Sequence, residues 1–243
     1  MASLDTVLAA HRAYLLGWNI GAAAHPDLPT YRSDVPHATL NGVLRVAGPA
    51  PSEALAEARR RLHGVPRIWW VGPDSDGGTA DGLVSLGATE VARMPIMTVA
   101  LDDAEAPTPA GLHISETDDL DAFVAAYARV SGIPAEGIAA TVEREKAFSG
   151  DGTVIRLAGR LSDGRIVGTA VAWLSHGLVT LYFVGTQPEQ RRQGVGAAMT
   201  RAALDLARER GAHTAALTSS PSGEGIYRRL GFRPVGEFRL LTF

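Results

Sequence analysis

Gln190-Arg191-Arg192-Gln193-Gly194-Val195-Gly196 puts two guanidinium groups beside two glycines spaced one residue apart. The stretch follows an apolar strand pattern over 178–184 and opens a helix pattern that runs to Arg210. Glycines at such a junction let backbone N–H groups turn toward a ligand with no Cβ in the way. The helix N-terminus behind them adds partial positive charge, which suits a phosphate. Arg191 and Arg192 can add charge-assisted hydrogen bonds to the same anion. The stretch reads as an anion cradle; the plain alternative is a glycine-rich turn from strand to helix.

Two common phosphate loops do not fit. A P-loop needs G-x-x-x-x-G-K-[ST], and no Lys-Ser or Lys-Thr pair follows these glycines. A dinucleotide fingerprint needs a third glycine where this chain has Met199. A second stretch, Ser220-Pro221-Ser222-Gly223-Glu224-Gly225-Ile226-Tyr227, places a phenol in a short helical segment ahead of Leu230-Gly231-Phe232. A positioned phenol can donate a proton to a leaving group or merely pack its helix. Glu145, His176 and Glu224 are candidate bases by residue type alone.

The elements that must hold these groups come from a chain of 243 residues, long enough to bury a core as one large domain or two small ones. Hydrophobic residues make up 46%, charged residues 20%, and the net charge is -3, an ordinary soluble composition. That balance gives no reason to propose a nucleic-acid or membrane partner. With no cysteine, disulfides, thiolate metal sites and Cys nucleophiles are excluded, and no metal is expected. The start of the chain lacks the basic and apolar runs of a signal peptide, so a cytoplasmic address is the expectation. Residues 166–188 carry no Asp, Glu, Lys or Arg, but Ser175-His176-Gly177 breaks them into two strands rather than a membrane span.

In the N-terminal part, residues 4–16 have helical periodicity and residues 24–36 read as loop. Residues 38–46 are expected as a strand bent at Asn41-Gly42. Ser52 is expected to cap a helix that Gly64 ends, with Arg59-Arg60-Arg61 as its solvated tail. Ile68-Trp69-Trp70-Val71 is a buried strand. The segment from Leu86-Gly87 echoes that from Leu230-Gly231 at one constant offset, pairing Val91 with Val235, Ile96 with Leu240 and Thr98 with Thr242. This is read as a worn second copy, without a Gly-x-Gly loop. Prolines and small residues make 104–111 the best linker.

Beyond it come a strand at 112–114, a helix capped by Thr117 or Asp118, and a helical stretch over 135–148. A hairpin follows, over 153–161 and 166–174, turning at Asp163-Gly164. Then come the strand at 178–184, the cradle, a helix with Val195, Met199, Ala202 and Leu206 on one face, a strand at 214–218, the Tyr227 segment and a closing strand.

This order, with the blocks Val184-Gly185-Thr186-Gln187-Pro188 through Gly196 and Ser220 through Phe232, resembles the GNAT superfamily of N-acetyltransferases over residues 112–243. The resemblance implies an α/β (α+β) fold with a mixed, mostly antiparallel central sheet flanked by helices. Its division is a degenerate GNAT-like domain at 1–103, a linker at 104–111 and an acetyl-CoA-binding catalytic domain at 112–243. It implies acetyl transfer from acetyl-CoA to an amine by direct attack, or, as the alternative, a non-catalytic acyl-CoA-binding module.

By the same resemblance, Arg191, Arg192, Gln193, Gly194, Val195, Gly196 and Ala197 hold the pyrophosphate. Phe183, Val184 and Thr186 run beside the pantetheine arm at a splayed strand end, and the Val184 N–H polarises the thioester carbonyl. Tyr227 matches the family's usual general acid, and Ser220 stands where the family often has Asn. The family's frequent Glu on the central strand has no counterpart in 178–184, so no base is assigned. The expected partners are acetyl-CoA and an amine-bearing small molecule or peptide, with the chain a monomer or homodimer. Glu136, Glu143 and Glu145 hint at a cationic amine, or form a solvated helix face.

Overall fold

A computed structural model of the chain describes residues 2–21, 25–101 and 107–243. The N-terminal part runs α1 (Leu4–Leu16), β1 (Thr30–Arg32), β2 (Asn41–Val43), α2 (Pro51–Arg61), β3 (Ile68–Val71), α3 (Thr79–Ser85) and β4 (Thr89–Ala100). The C-terminal part runs β5 (His113–Glu116), α4 (Leu120–Ser131), α5 (Ile138–Lys146), β6 (Thr153–Arg160), β7 (Ile166–Ser175) and β8 (Leu178–Thr186). It ends with α6 (Val195–Glu209), β9 (Thr214–Thr218), α7 (Glu224–Arg229) and β10 (Arg233–Thr242). All ten strands form one mixed, mostly antiparallel sheet in the order β1-β2-β3-β10-β4-β9-β8-β7-β6-β5.

That order crosses the boundary expected near residue 104. β4 lies between β9 and β10, and β10 lies between β4 and β3, so each part lends its last strand to the other. Outward from the β4–β10 pair the two sides mirror each other. β3 joins β2 in parallel and β2 joins β1 antiparallel; β9 joins β8 in parallel and β8 joins β7 antiparallel. Such pairing joins residues far apart in sequence and has no local signature. The linker's first residues, 104–106, lie outside the described residues.

Several local expectations shift. Residues 38–46 are not one strand: 38–40 form a 3-10 turn and only Asn41–Val43 is strand. Asn41-Gly42 lies inside that strand and not at a bend, and position 42 is glycine because a Cβ there would run into the Ile68 carbonyl of β3. Ser52 does not cap α2; Ala50 does, with Pro51 at the first helical position and Glu53 folding back to accept from the Ala50 N–H. At α4 the cap is Asp119, which accepts from the Ala122 N–H, rather than Thr117 or Asp118.

The sheet separates one core from two others, the third lying where α2 and α3 bury Ala54, Leu55 and Leu83 against Trp69 and Leu241. On one face α1, α4 and α5 bury Tyr14, Trp18, Phe123, Tyr127 and Trp173; on the other α6 buries Val195, Met199, Ala203 and Leu204 against β6–β9. Helix α1 therefore belongs to the same layer as α4, and Tyr14 stacks on Tyr182 of β8 with centroids 3.7 Å apart. Among the described residues no helix is long and apolar enough to cross a membrane.

Candidate functional site

The β8–β9 ladder holds only from Val179 to Leu181, opposite Ala215 to Leu217. Beyond it the two strands part, and the gap opens into a cleft of about 590 Å³. β8 also changes register against β7, from Val171↔Tyr182 to Thr169↔Gly185, so Phe183 and Val184 bulge opposite a single β7 residue. Phe183 sits at φ +46, a left-handed conformation rare for an aromatic residue. Two contacts hold it there: the Thr169 hydroxyl donates to its carbonyl at 2.9 Å, and its ring stacks on Tyr127 at 4.4 Å. The bulge turns Val184 into the cleft, where its backbone has no β9 partner.

The cradle closes the other end. Arg192 and Gly194 both have positive φ, +63 and +84, and Gly194 is the N-cap of α6 without any side-chain cap. The first-turn N–H groups of α6 thus have no acceptor within the helix and point outward. Gly196 lets α6 approach β8, since a Cβ there would stand 3.3 Å from Thr186 Oγ1. Gln187 ties the loop to α4 by donating from Nε2 to the Ala126 carbonyl at 2.7 Å. Hydrogen-bond donors at a dipole end, next to Arg191 and Arg192, suit a di-anion such as a pyrophosphate.

The cleft is lined by Val184, Thr186, Arg191, Arg192, Gly194, Val195, Gly196, Ala197, Ser220 and Tyr227 of the expected set. Two expected residues are not in the lining. Phe183 faces the opposite core, as its stacking requires, and Gln193 turns its side chain to the Glu189 carbonyl. Ser220 lines the cleft but its hydroxyl accepts from the Gly223 N–H at 3.3 Å, fixing the turn into α7. Val130, Ser131, Ser222 and Arg229 also line it and were not expected. The signal for the Val130 contact was Gly185, a glycine inside a strand, which marks a bulge or a close approach.

Tyr227 packs edge-on against Phe232 at 5.7 Å, and burial pushes its phenol up to about 12. Its hydroxyl makes no hydrogen bond to a described residue, so it is free for a ligand. The candidate bases lie elsewhere. Glu145 is buried, accepting from Tyr127 at 2.9 Å and from Arg156 at 2.7 Å and 2.9 Å. Glu224 pairs with Arg228, and His176 sits in the β7–β8 turn. Among the described residues, no carboxylate or imidazole lines the cleft. Glu143 pairs with Lys146, so the acidic hint at a cationic acceptor has no support in the cleft wall.

The loop in the matching place of the N-terminal part, between β2 and α2, is spent internally. The Gly48 N–H donates to Asp76 at 2.6 Å and the Ala50 N–H to Glu53 at 3.3 Å, while Pro51 has no N–H. Carboxylates stand where a phosphate would need donors. Among the described residues no group of three or more His, Asp or Glu side chains is placed to hold a metal ion.

Residues 121–232 match the family model described as "Acetyltransferase (GNAT) family", and the chain carries a GNAT acetyltransferase domain over that segment. A mycothiol acetyltransferase of Clavibacter michiganensis subsp. michiganensis is 31% identical over 137 residues, which are 53% of this chain and 45% of that protein. The chain thus matches just under half the length of this curated relative. A GCN5-related N-acetyltransferase from Kribbella flavida superposes with a TM-score of 0.69 at 25% identity, over 100% of this chain and 96% of that one. A tandem GNAT protein from the clavulanic acid biosynthesis pathway shares the fold, with a TM-score of 0.59 at 14% identity over 98% and 94% of the two chains.

Proposed function

We propose that this chain transfers an acetyl group from acetyl-CoA to an amine by direct attack. The observation that carries the reading is the β8–β9 split, which leads from an uncapped, arginine-flanked helix N-terminus to the Val184 backbone, without a β9 partner, and the Tyr227 hydroxyl. The family match and the likeness to a mycothiol acetyltransferase support acetyl transfer in general. In this reading the N–H groups from Arg191 to Ala197 take the pyrophosphate. The parted end of β8 pairs with the pantetheine amides as an added strand would, and the Val184 N–H faces the developing oxyanion. Holding both reactants together supplies much of the acceleration.

Tyr227 stands as general acid toward the departing thiolate. At about 12 it is a weaker acid than a free phenol. It therefore acts by donating a hydrogen bond to sulfur as charge builds there. The division into a degenerate copy at 1–103 and a catalytic domain at 112–243 belongs to the same proposal, supported by the mirrored strand order and the spent loop after β2.

One observation favours a second reading, a module that holds acyl-CoA without turnover: no base lines the cleft among the described residues. Release of free thiol from acetyl-CoA against a panel of amines separates the two. Amine-dependent release supports the enzyme; tight acetyl-CoA binding with no release under any amine supports the module.

A further inference from the structure

One wall of the cleft is the end of α4, and a loop from the other part of the chain braces that end. Residues 33–41 close around the buried Asn41. Its Oδ1 accepts from the Ser33 and Asp34 N–H groups at 2.9 and 3.2 Å, and its Nδ2 donates to the Val35 and His37 carbonyls at 2.9 and 3.1 Å. The Tyr31 hydroxyl adds a bond to the Thr39 carbonyl at 2.7 Å. A buried polar knot with its partners in place fixes one loop shape.

The knot presents Pro36 and His37 to the α4–α5 connection. The Pro36 ring lies 3.0 Å from where a Cβ on Gly137 would stand. His37 Nε2 lies 3.9 Å from the same point on Gly132, the left-handed residue that ends α4. Nδ1 meets Thr39 Oγ1 at 2.9 Å, which orients the ring toward the end of α4.

From there the contact reaches the reacting end of the cleft. Val130 and Ser131 both line it. Val130 Cγ2 lies 2.6 Å from where a Cβ on Gly185 would stand, so the isopropyl group fills space that only glycine leaves. Gly185 follows Val184 in the bulge.

We propose that His37 is a positioning residue for Val184: its ring, packed beside Gly132, steadies the end of α4, and Val130 at that end pins the bulge at Gly185, which sets the direction of the Val184 N–H. The role rests on the acyl-transfer reading, because it is defined by that N–H facing a thioester carbonyl. It gives the N-terminal part a share in the chemistry without a ligand of its own.

The test pairs amide hydrogen exchange at Gly185 and Thr186 with single-turnover transfer from acetyl-CoA in full-length His37→Ala and His37→Gln. In His37→Ala, exchange at these two amides accelerates while that of Ala203 and Leu204 in the opposite core stays put. Transfer slows roughly 10- to 100-fold, the scale of a small misplacement, with acetyl-CoA affinity unchanged. His37→Gln keeps a polar side chain of similar reach beside Gly132 and recovers most of both. Should His37→Ala fail to fold, Thr39→Val, which removes the hydroxyl that orients the ring, carries the same readouts. Unchanged exchange at Gly185 and Thr186 overturns the proposal. Wild-type chain that binds no acetyl-CoA sinks the acyl-transfer reading instead, and the exchange data still decide the mechanical link.

Discussion

Met94 and Phe238 face each other across the β4–β10 ladder. Their neighbours Arg93 and Glu237 are 144 positions apart in the chain and joined by a 3.3 Å ion pair. Met94 and Phe238 are separated by that same interval, as are Leu86 and Leu230 of the sequence echo. A local two-fold relation therefore passes through the Met94–Phe238 pair, and the two exchanged strands are the echoed segments.

The exchange predicts that the C-terminal part does not fold alone. A fragment starting at residue 107 lacks β4 and leaves β9 and β10 with open edges and a bare apolar face, including the partners of Ile96 and Met97. Expressed by itself it should be insoluble or a strand-swapped oligomer, and co-expression with residues 1–101 should return a soluble pair. A monomeric, cooperatively melting 107–243 fragment would show that the strand exchange is dispensable.

Glu145 is expected to matter for stability and not for chemistry. It is fully enclosed between Tyr127 and Arg156, so Glu145→Gln leaves the Arg156 charge without its partner. Removing one member of a buried pair typically costs about 3–5 kcal/mol. Denaturant melts should show a loss of that size, while kcat measured on the folded fraction holds. A large fall in kcat at unchanged stability would restore Glu145 as a catalytic candidate.

His11 predicts how acid weakens the fold. It is buried against Trp70, Tyr182 and Phe238, and burial first, then the neighbouring Arg12, lowers its pKa from 6.5 to about 3. The folded value is depressed, so the unfolded chain binds the proton more readily between the two. This contribution is complete above pH 6.5 and is lost as pH falls toward 3, at about 1.4 kcal/mol per pH unit within the window. Melting between pH 7 and 4 should show a shallower decline for His11→Phe than for wild type. Parallel curves would mean that His11 is not the group being titrated.

Tyr227→Phe keeps the ring against Phe232 and removes only the hydroxyl. Loss of a general acid costs typically 10²–10⁴-fold in the chemical step, with cofactor affinity little altered. With the phenol pushed up to about 12, Tyr227 should stay protonated through the usual assay range. The kcat profile should therefore show no alkaline limb near 10 that disappears in the Phe variant. Single-turnover transfer equal to wild type would make Tyr227 a packing residue.

What could be read from the sequence was what is local along the chain. The cradle residues Arg191, Arg192, Gly194 and Gly196 and the Tyr227 segment each signal through spacing within a dozen positions, and both groups line the same cleft. The strand exchange was not legible, because nothing near Thr89 or Arg233 says which strand each will pair with. Phe183 was misplaced because the bulge that turns it away from the cleft depends on Thr169 and Tyr127, both distant in sequence. The bracing of α4 by His37 was hidden for the same reason, although Gly185 within a strand hinted at a close neighbour.

Calorimetric titration of acetyl-CoA into the full-length chain and a Gly196→Val variant tests the cradle most directly. Gly194 is a poorer probe, since its φ of +84 would strain any side chain whatever the ligand. At Gly196 the backbone is helical and an added Cβ meets Thr186 Oγ1 at 3.3 Å and Ile226 at 4.0 Å, so a small shift of the Thr186 side chain should let the fold survive while the pyrophosphate is obstructed. The account predicts one acetyl-CoA per chain for wild type, because the loop after β2 is closed by its own carboxylates, and marked weakening in the variant. Equal affinity in a folded Gly196→Val chain, or two molecules bound per wild-type chain, would contradict it.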